Sequence, residues 1–267
     1  MRSIYLLHLI IFSEKFIIIS LMQILKETIL NDEKCSYLEE RLQSTHYKVI
    51  DECSVEYCHK LIKQGWRRFG AMFFRPICPH CNACESVKID VKNYNFSKSE
   101  RRIIKKNSDI EIVITRPTLS NKHLAIHEKY HQHMQEKKGW EYTPTTTQHY
   151  YSSFIQGFET FGYEIQYFLD NELIGIDIVD FLPDGISSTY FFYDPAFEKR
   201  SLGKFSLLHQ IEIAKERELD WIYMGYYVKE CPSLSYKGDY QPLLTLQGRP
   251  DVHEDDTWIE EGPIKPD

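Results

Sequence analysis

The sequence predicts an α+β protein, a mixed sheet with helices packed on it. Three observations carry this: strand-like segments joined by tight-turn residues between Phe161 and Tyr193, a helix with apolar spacing after Arg200, and a further strand over Trp221–Val228. A meander followed by a crossing helix returns the chain to the same sheet. The 267 residues suffice for two modest domains or one large one, and 42% hydrophobic with 14% aromatic residues marks a folded chain. The formal charge of -7 argues against a globally basic nucleic-acid coat and leaves room for a local basic patch.

Residues Ile4 to Leu21 are apolar but interrupted by Glu14 and Lys15, and no small-x-small cleavage pattern follows. They read as a dispensable extension ahead of a start at Met22; a membrane anchor is the alternative. Val87, Ile89 and Val91 against Lys88, Asp90 and Lys92 read as a half-exposed strand. Ser97 with Glu100 forms a capping box opening a helix to Asn107. Its Arg101 and Lys105, and Arg102 and Lys106, fall four apart and give two basic rows, either a solvated face or a phosphate track. A strand follows over Asp109–Thr115, then helices at 121–137 and 147–156. The strands Phe161–Leu169, Glu172–Leu182 and Ile186–Tyr193 are joined by Asp170-Asn171 and Pro183-Asp184-Gly185, both turn chemistry. Arg200 to Lys204 opens the crossing helix, on which Leu207, Leu208, Ile211 and Ala214 keep helical spacing. This order of elements is compatible with an acetyltransferase-like architecture.

Seven cysteines show no evenly paired pattern, which favours a reducing compartment. Three of them, Cys78, Cys81 and Cys84, crowd one turn and resemble three ligands of a metal or cluster site; Cys35, Cys53, Cys58 or His80 would have to supply a fourth. Buried or free thiols are the other reading. His127-Glu128-Lys129-Tyr130-His131 is literally H-E-x-x-H, either a zinc pair with a glutamate base or packed histidines beside the stripe Ile126, Tyr130 and Met134. Ser201, Gly203 and Lys204 either present backbone N–H groups and a cation to a phosphate or form an ordinary helix start capped by Ser201.

Together the segments resemble the arginyl-tRNA-protein transferases and their bacterial leucyl-transferring relatives. The carrying residues are Cys35-Ser36-Tyr37-Leu38, Gly65-Trp66-Arg67-Arg68, and Arg75-Pro76 leading to Cys78, Cys81, Ala83 and Cys84. They continue through Ser97, Ser99, Arg101-Arg102 and Lys106-Asn107, then Tyr193-Asp194-Pro195 and Ser201-Leu202-Gly203. Gly225-Tyr226 and Tyr236-Lys237-Gly238-Asp239-Tyr240 with Pro242 complete them. The resemblance implies a cysteine-containing N-terminal domain over 22–107, an acetyltransferase-like C-terminal domain over 120–250 and a tail over 251–267. It implies transfer of an amino acid, leucine in the bacterial type, from charged tRNA to proteins beginning with Asp or Glu, marking them for degradation in the cytoplasm. It also implies that the His127 to His131 helix is no metal site. Leu38 stands where eukaryotic members carry a second cysteine, which places an iron-sulfur cluster in doubt and favours the leucyl over the arginyl donor.

An aminoacyl ester is already activated, so the reaction needs positioning, proton removal and oxyanion stabilisation but no covalent intermediate or cofactor. Asp194 and Tyr226 are the residues expected to hold or deprotonate the amine. Arg67, Arg68 and Arg75 are the expected partners of an acidic acceptor, with Lys237 and Lys204 next. Lys204 and the loop amides are expected at the tRNA 3′ end, with Arg101, Arg102, Lys105 and Lys106 as the phosphate track. The competing functions are a zinc hydrolase through His127 and His131 and a metal-stabilised RNA-binding module; no membrane partner is expected.

Overall fold

The computed structural model describes residues 22–157 and 160–260; the extension 1–21 and residues 261–267 lie outside them. Strands β1 (Gln23–Lys34) and β2 (Leu42–Asp51), helix α1 (Val55–Lys63), and strands β3 (Arg67–Phe69) and β4 (Met72–Pro76) come first. The strands form an antiparallel sheet of order β1-β2-β4-β3. Ser54 Oγ caps α1 by accepting from the Tyr57 N–H, and Cys58, Leu61 and Ile62 are its buried stripe. That stripe packs with Trp66 and Phe73 on Phe161, Leu182 and Tyr223 from the far part of the chain, so the two halves share a core.

Strand β5 (Glu85–Asp90) joins the two halves directly. It is followed by α2 (Lys98–Lys106), β6 (Glu111–Thr115), α3 (Asn121–Lys138), α4 (Thr147–Tyr150) with a π-helical turn at Tyr151–Ile155, and the meander β7 (Gly162–Leu169), β8 (Glu172–Leu182) and β9 (Gly185–Tyr193). Helix α5 (Leu202–Glu216), β10 (Trp221–Tyr227), β11 (Leu243–Leu246) and β12 (Trp258–Glu260) complete a second sheet of order β12-β11-β5-β10-β9-β8-β7-β6. β5 thus lies between β11 and β10, and the hydrogen-bond ladder crosses the division expected between 107 and 120. The strand read as half-exposed is covered on both faces: Lys88 is buried with its Nζ 3.7 Å from the Trp221 ring centre and 4.5 Å from that of Trp258. The segment read as a tail is likewise tied in, because β12 pairs with β11, Val252 is buried, and the Asp251 and Glu254 carbonyls accept from Gln64 Nε2.

The capping box of α2 is present, Ser97 Oγ accepting from the Glu100 N–H and Glu100 Oε2 from the Ser97 N–H. Asp170 and Asn171 take the left-handed conformation that their hairpin turn requires. Besides the shared core, a second lies between the large sheet and α5 and a third beneath α3. Every strand pair in the large sheet is antiparallel except β9 and β10, which run parallel on either side of the α5 crossover. This is the arrangement expected of the acetyltransferase-like fold. The parallel pairing stops at Ser187 and Tyr223 while both strands continue, so they part toward their C-terminal ends.

Beneath α5, Asp177 on β8 is wholly buried, and its Oδ2 accepts from Gln210 Nε2 at 2.7 Å. Burial pushes this carboxyl up to about 7. Its folded value is raised above the unfolded one, so the folded state binds the proton more tightly and stability falls as pH rises between roughly 4 and 7. Asp177→Asn removes the charge and keeps an acceptor for Gln210. Urea unfolding should show the variant gaining up to about 4 kcal/mol over the parent at pH 8 and almost nothing at pH 4.

Candidate active site

Where β9 and β10 part, the side chain of Arg67 enters from β3. Its Nη1 donates to Ser187 Oγ and to the Tyr223 carbonyl, both at 3.3 Å, and its Nη2 donates to the Ser188 carbonyl. One guanidinium thereby satisfies carbonyls of both strands where their ladder ends. Gly225 lies beside it with φ of +79°, and a Cβ there would stand 2.8 Å from Arg67 Nε. Glycine at this point is required by both the left-handed backbone and the close approach. Burial pulls Arg67 below its ordinary value, and no carboxylate lies in ion-pair range among the described residues.

Tyr226 follows on β10. Its hydroxyl is hydrogen-bonded to the Gly65 carbonyl at 2.9 Å and lies 3.2 Å from that of Phe74. Burial pushes this phenol well above its usual range, so its proton stays on and it is a poor base. This environment does not suit the deprotonation expected of Tyr226. Its carbonyl accepts from Lys237 Nζ at 2.7 Å. Lys237 sits on a short 3-10 helix, Ser235–Asp239, with only 8% of its surface exposed. Burial, reinforced by the Arg67 charge, pulls its ammonium down to about 7.

The Tyr226 side chain also walls a cleft of about 220 Å³ lined by Arg75, Arg249, Gln247, Asn82 and Cys84. Arg75 donates from Nη1 to the Pro250 carbonyl at 2.7 Å and lies 4.8 Å from the Trp66 ring centre. Its Nε is buried without a partner among the described residues. Arg249, which sequence reasoning missed, donates to the Cys78 and Cys81 carbonyls at 3.2 and 2.9 Å and pins the cysteine turn against the cleft. Its only signal in the sequence is a Gly-Arg-Pro turn at 248–250.

Arg68 belongs elsewhere. Its Nε donates to Asp180 Oδ2 at 2.9 Å, its Nη2 to Asp180 Oδ1 and its Nη1 to the Gly70 carbonyl, all in the interior. This fork is engaged with a native carboxylate and leaves the acceptor candidates. Asp194 is a turn residue: Oδ1 accepts from the Ala196 N–H and Oδ2 from Lys129 Nζ at 2.5 Å, capping the 3-10 helix Pro195–Arg200. Those two bonds engage both carboxylate oxygens in holding the turn.

His127 and His131 are packed on each other and bonded to hydroxyls. Their rings meet edge to face at 4.0 Å; His127 Nδ1 pairs with Thr145 Oγ1 and His131 Nε2 with the Tyr190 hydroxyl. Glu128 is turned to the Tyr142 hydroxyl and the Thr145 N–H. The cysteine turn fits a metal no better. Cys78 Sγ faces the Ser44 backbone, Cys81 Sγ accepts from Arg41 Nη1 at 3.2 Å, and burial pushes the Cys84 thiol up to about 12. Among the described residues no group of three or more His, Cys, Asp or Glu is placed to hold an ion.

Ser201 opens α5 in the left-handed conformation with φ of 58° and makes no side-chain cap, so the first amides of the helix have no hydroxyl on them. Around Gly203 the space a Cβ would take is open. Lys204 Nζ stands 5.7 Å from the Tyr240 ring centre. The basic face of α2 abuts this loop, because Asn107 Nδ2 donates to the Arg200 carbonyl at 3.0 Å and Lys106 Nζ to that of Lys199. Arg101, Arg102 and Lys105 are exposed beside it. The fold therefore gathers two groups: Arg67, Arg75, Tyr226 and Lys237 at the parted strands, and Ser201, Gly203 and Lys204 with the basic helix at the start of α5. No helix among the described residues is long and apolar enough to cross a membrane.

Residues 33–102 match the family model described as arginine-tRNA-protein transferase, N terminus, and residues 122–247 the one described as its C terminus. An aspartate/glutamate leucyltransferase of Campylobacter jejuni is 48% identical over 229 residues, 86% of this chain and 96% of that protein. One of Helicobacter hepaticus is 40% identical over 224 residues, 84% and 93% of the two chains. Among solved structures, FemX covers 62% of this chain and 58% of its own with a TM-score of 0.40 at 8% identity. Two family segments in order, and relatives aligned over nearly their full lengths, make this chain a member of the arginine-tRNA-protein transferase family.

Proposed function

We propose that the protein transfers leucine from leucyl-tRNA to the α-amine of proteins that begin with Asp or Glu, marking them for degradation in the cytoplasm, where charged tRNA circulates. The observation that carries the acceptor side is the cleft of Arg75 and Arg249 beside the parted strands, with one buried guanidinium N–H left unpartnered. A planar cation of this kind is suited to a carboxylate side chain. The relatives named as leucyltransferases support the donor. On the donor side the uncapped start of α5, Lys204 and the basic face of α2 are suited to the phosphates near a tRNA 3′ end. Because the ester is already activated, the chemistry runs without a metal or other cofactor.

The experiment is incubation with a total charged-tRNA pool and peptides beginning with Asp, Glu or Lys, read by mass. The expected product is one added leucine on the Asp and Glu peptides and almost none on the Lys peptide, where like charges meet. Arginine added as readily as leucine would overturn the donor assignment, and equal modification of the Lys peptide would overturn the acceptor assignment.

A further inference from the structure

Lys237 occupies a position that folding alone does not favour. Its ammonium is buried and donates to a neutral carbonyl, that of Tyr226, and no carboxylate among the described residues pairs with it. Arg67 from β3 faces it with like charge, and Cys231, on the turn after β10, is the acidic group nearby. Burying a cation without a counter-ion is costly, and a methionine of similar shape would pack there with less strain on stability. The cost is relieved when the amine is neutral, and burial moves its titration to about 7, where both forms are populated under ordinary conditions.

The location gives such a group something to do. Tyr226 links Lys237 to the Arg75 cleft, because it lines the cleft and its carbonyl accepts from Lys237 Nζ. Resting on the transfer reaction proposed above, we propose that Lys237 Nζ carries the proton of that reaction, taking it from the acceptor α-amine and returning it to the departing ribose hydroxyl. The balance closes without a further reagent. The amine nitrogen bonds to the ester carbonyl carbon, the carbon–oxygen bond to the ribose breaks, and the one proton lost by nitrogen ends on that oxygen. Lys237 must be neutral at the start and is neutral again at the end. The Tyr226 carbonyl takes one of its N–H bonds, so the nitrogen lone pair is left for the substrate.

The test begins with the wild-type protein, leucyl-tRNA and an Asp-initiated peptide; absence of leucine transfer there would fell the proposed function and, with it, this inference. With transfer in hand, kcat at saturating acceptor should rise with pH along an acid limb with an apparent pKa near 7 and level off above it. K237A and K237R should each lower kcat by about 100-fold to 10,000-fold, with the acceptor KM changed little. Small primary amines added to K237A should restore rate in proportion to their basicity, which also shows that the variant is folded. Retention of activity by K237R, whose cation does not deprotonate, would mean that the lysine works as a charge and would overturn the proposal. So would a flat wild-type kcat profile, a readout that needs no variant, or the lack of rescue in a K237A protein whose melting temperature and leucyl-tRNA binding match the wild type.

Discussion

Arg75→Ala should lower kcat/KM for a peptide beginning with Asp by about 30-fold to several thousand-fold, and change it far less for the same peptide beginning with Asn. The range corresponds to roughly 2 to 5 kcal/mol, the cost of leaving one member of a buried charge-assisted pair without its partner. Arg75 is suited to this loss because its guanidinium is half-buried against Trp66, is held by the Pro250 carbonyl, and keeps an Nε donor unmatched. Arg75→Lys should recover little, since a point charge on a flexible stem does not reproduce the planar fork. Steady-state kinetics with paired Asp and Asn peptides give the measurement. An unchanged Asp-to-Asn ratio in Arg75→Ala would move the acceptor carboxylate to Arg249 or Arg67, both of which can be replaced in the same assay.

The second large effect is on stability. Arg68→Ala should cost about 3 to 5 kcal/mol of unfolding free energy, because Asp180 would remain as an uncompensated carboxylate at 0% side-chain exposure. Denaturant unfolding at pH 7 reads this directly. The companion variant, Arg68→Met with Asp180→Leu, should recover most of the loss, since exchanging a whole buried pair for apolar groups is often neutral or better. That contrast separates Arg68 from Arg75, two arginines seven positions apart along one hairpin that the sequence treats as equals. A loss below about 1 kcal/mol in Arg68→Ala would show that the pair is less enclosed than its geometry indicates.

How far the sequence reached can be seen in particular elements. The capping box at Ser97 and Glu100, the turn residues Asp170-Asn171 and the apolar spacing of α5 are local codes, written within four residues or in a fixed period, and they determined α2, the meander and the crossover helix by themselves. The ordered segments carrying Gly65 to Cys84 and Tyr236 to Tyr240 determined the family. What no local code contains is which side chains meet across the chain. Only the tertiary structure decided that Arg68 is paired by Asp180, 112 positions away, and that Asp194 is taken by Lys129. It also decided that Lys88 is covered by Trp221 and Trp258, and that Arg249 closes on the cysteine turn. The same arginine or carboxylate is a ligand-binding group when its hydrogen bonds are open and a structural one when they are filled. Burial and partners set that difference, and both arise from the packing of segments far apart in sequence.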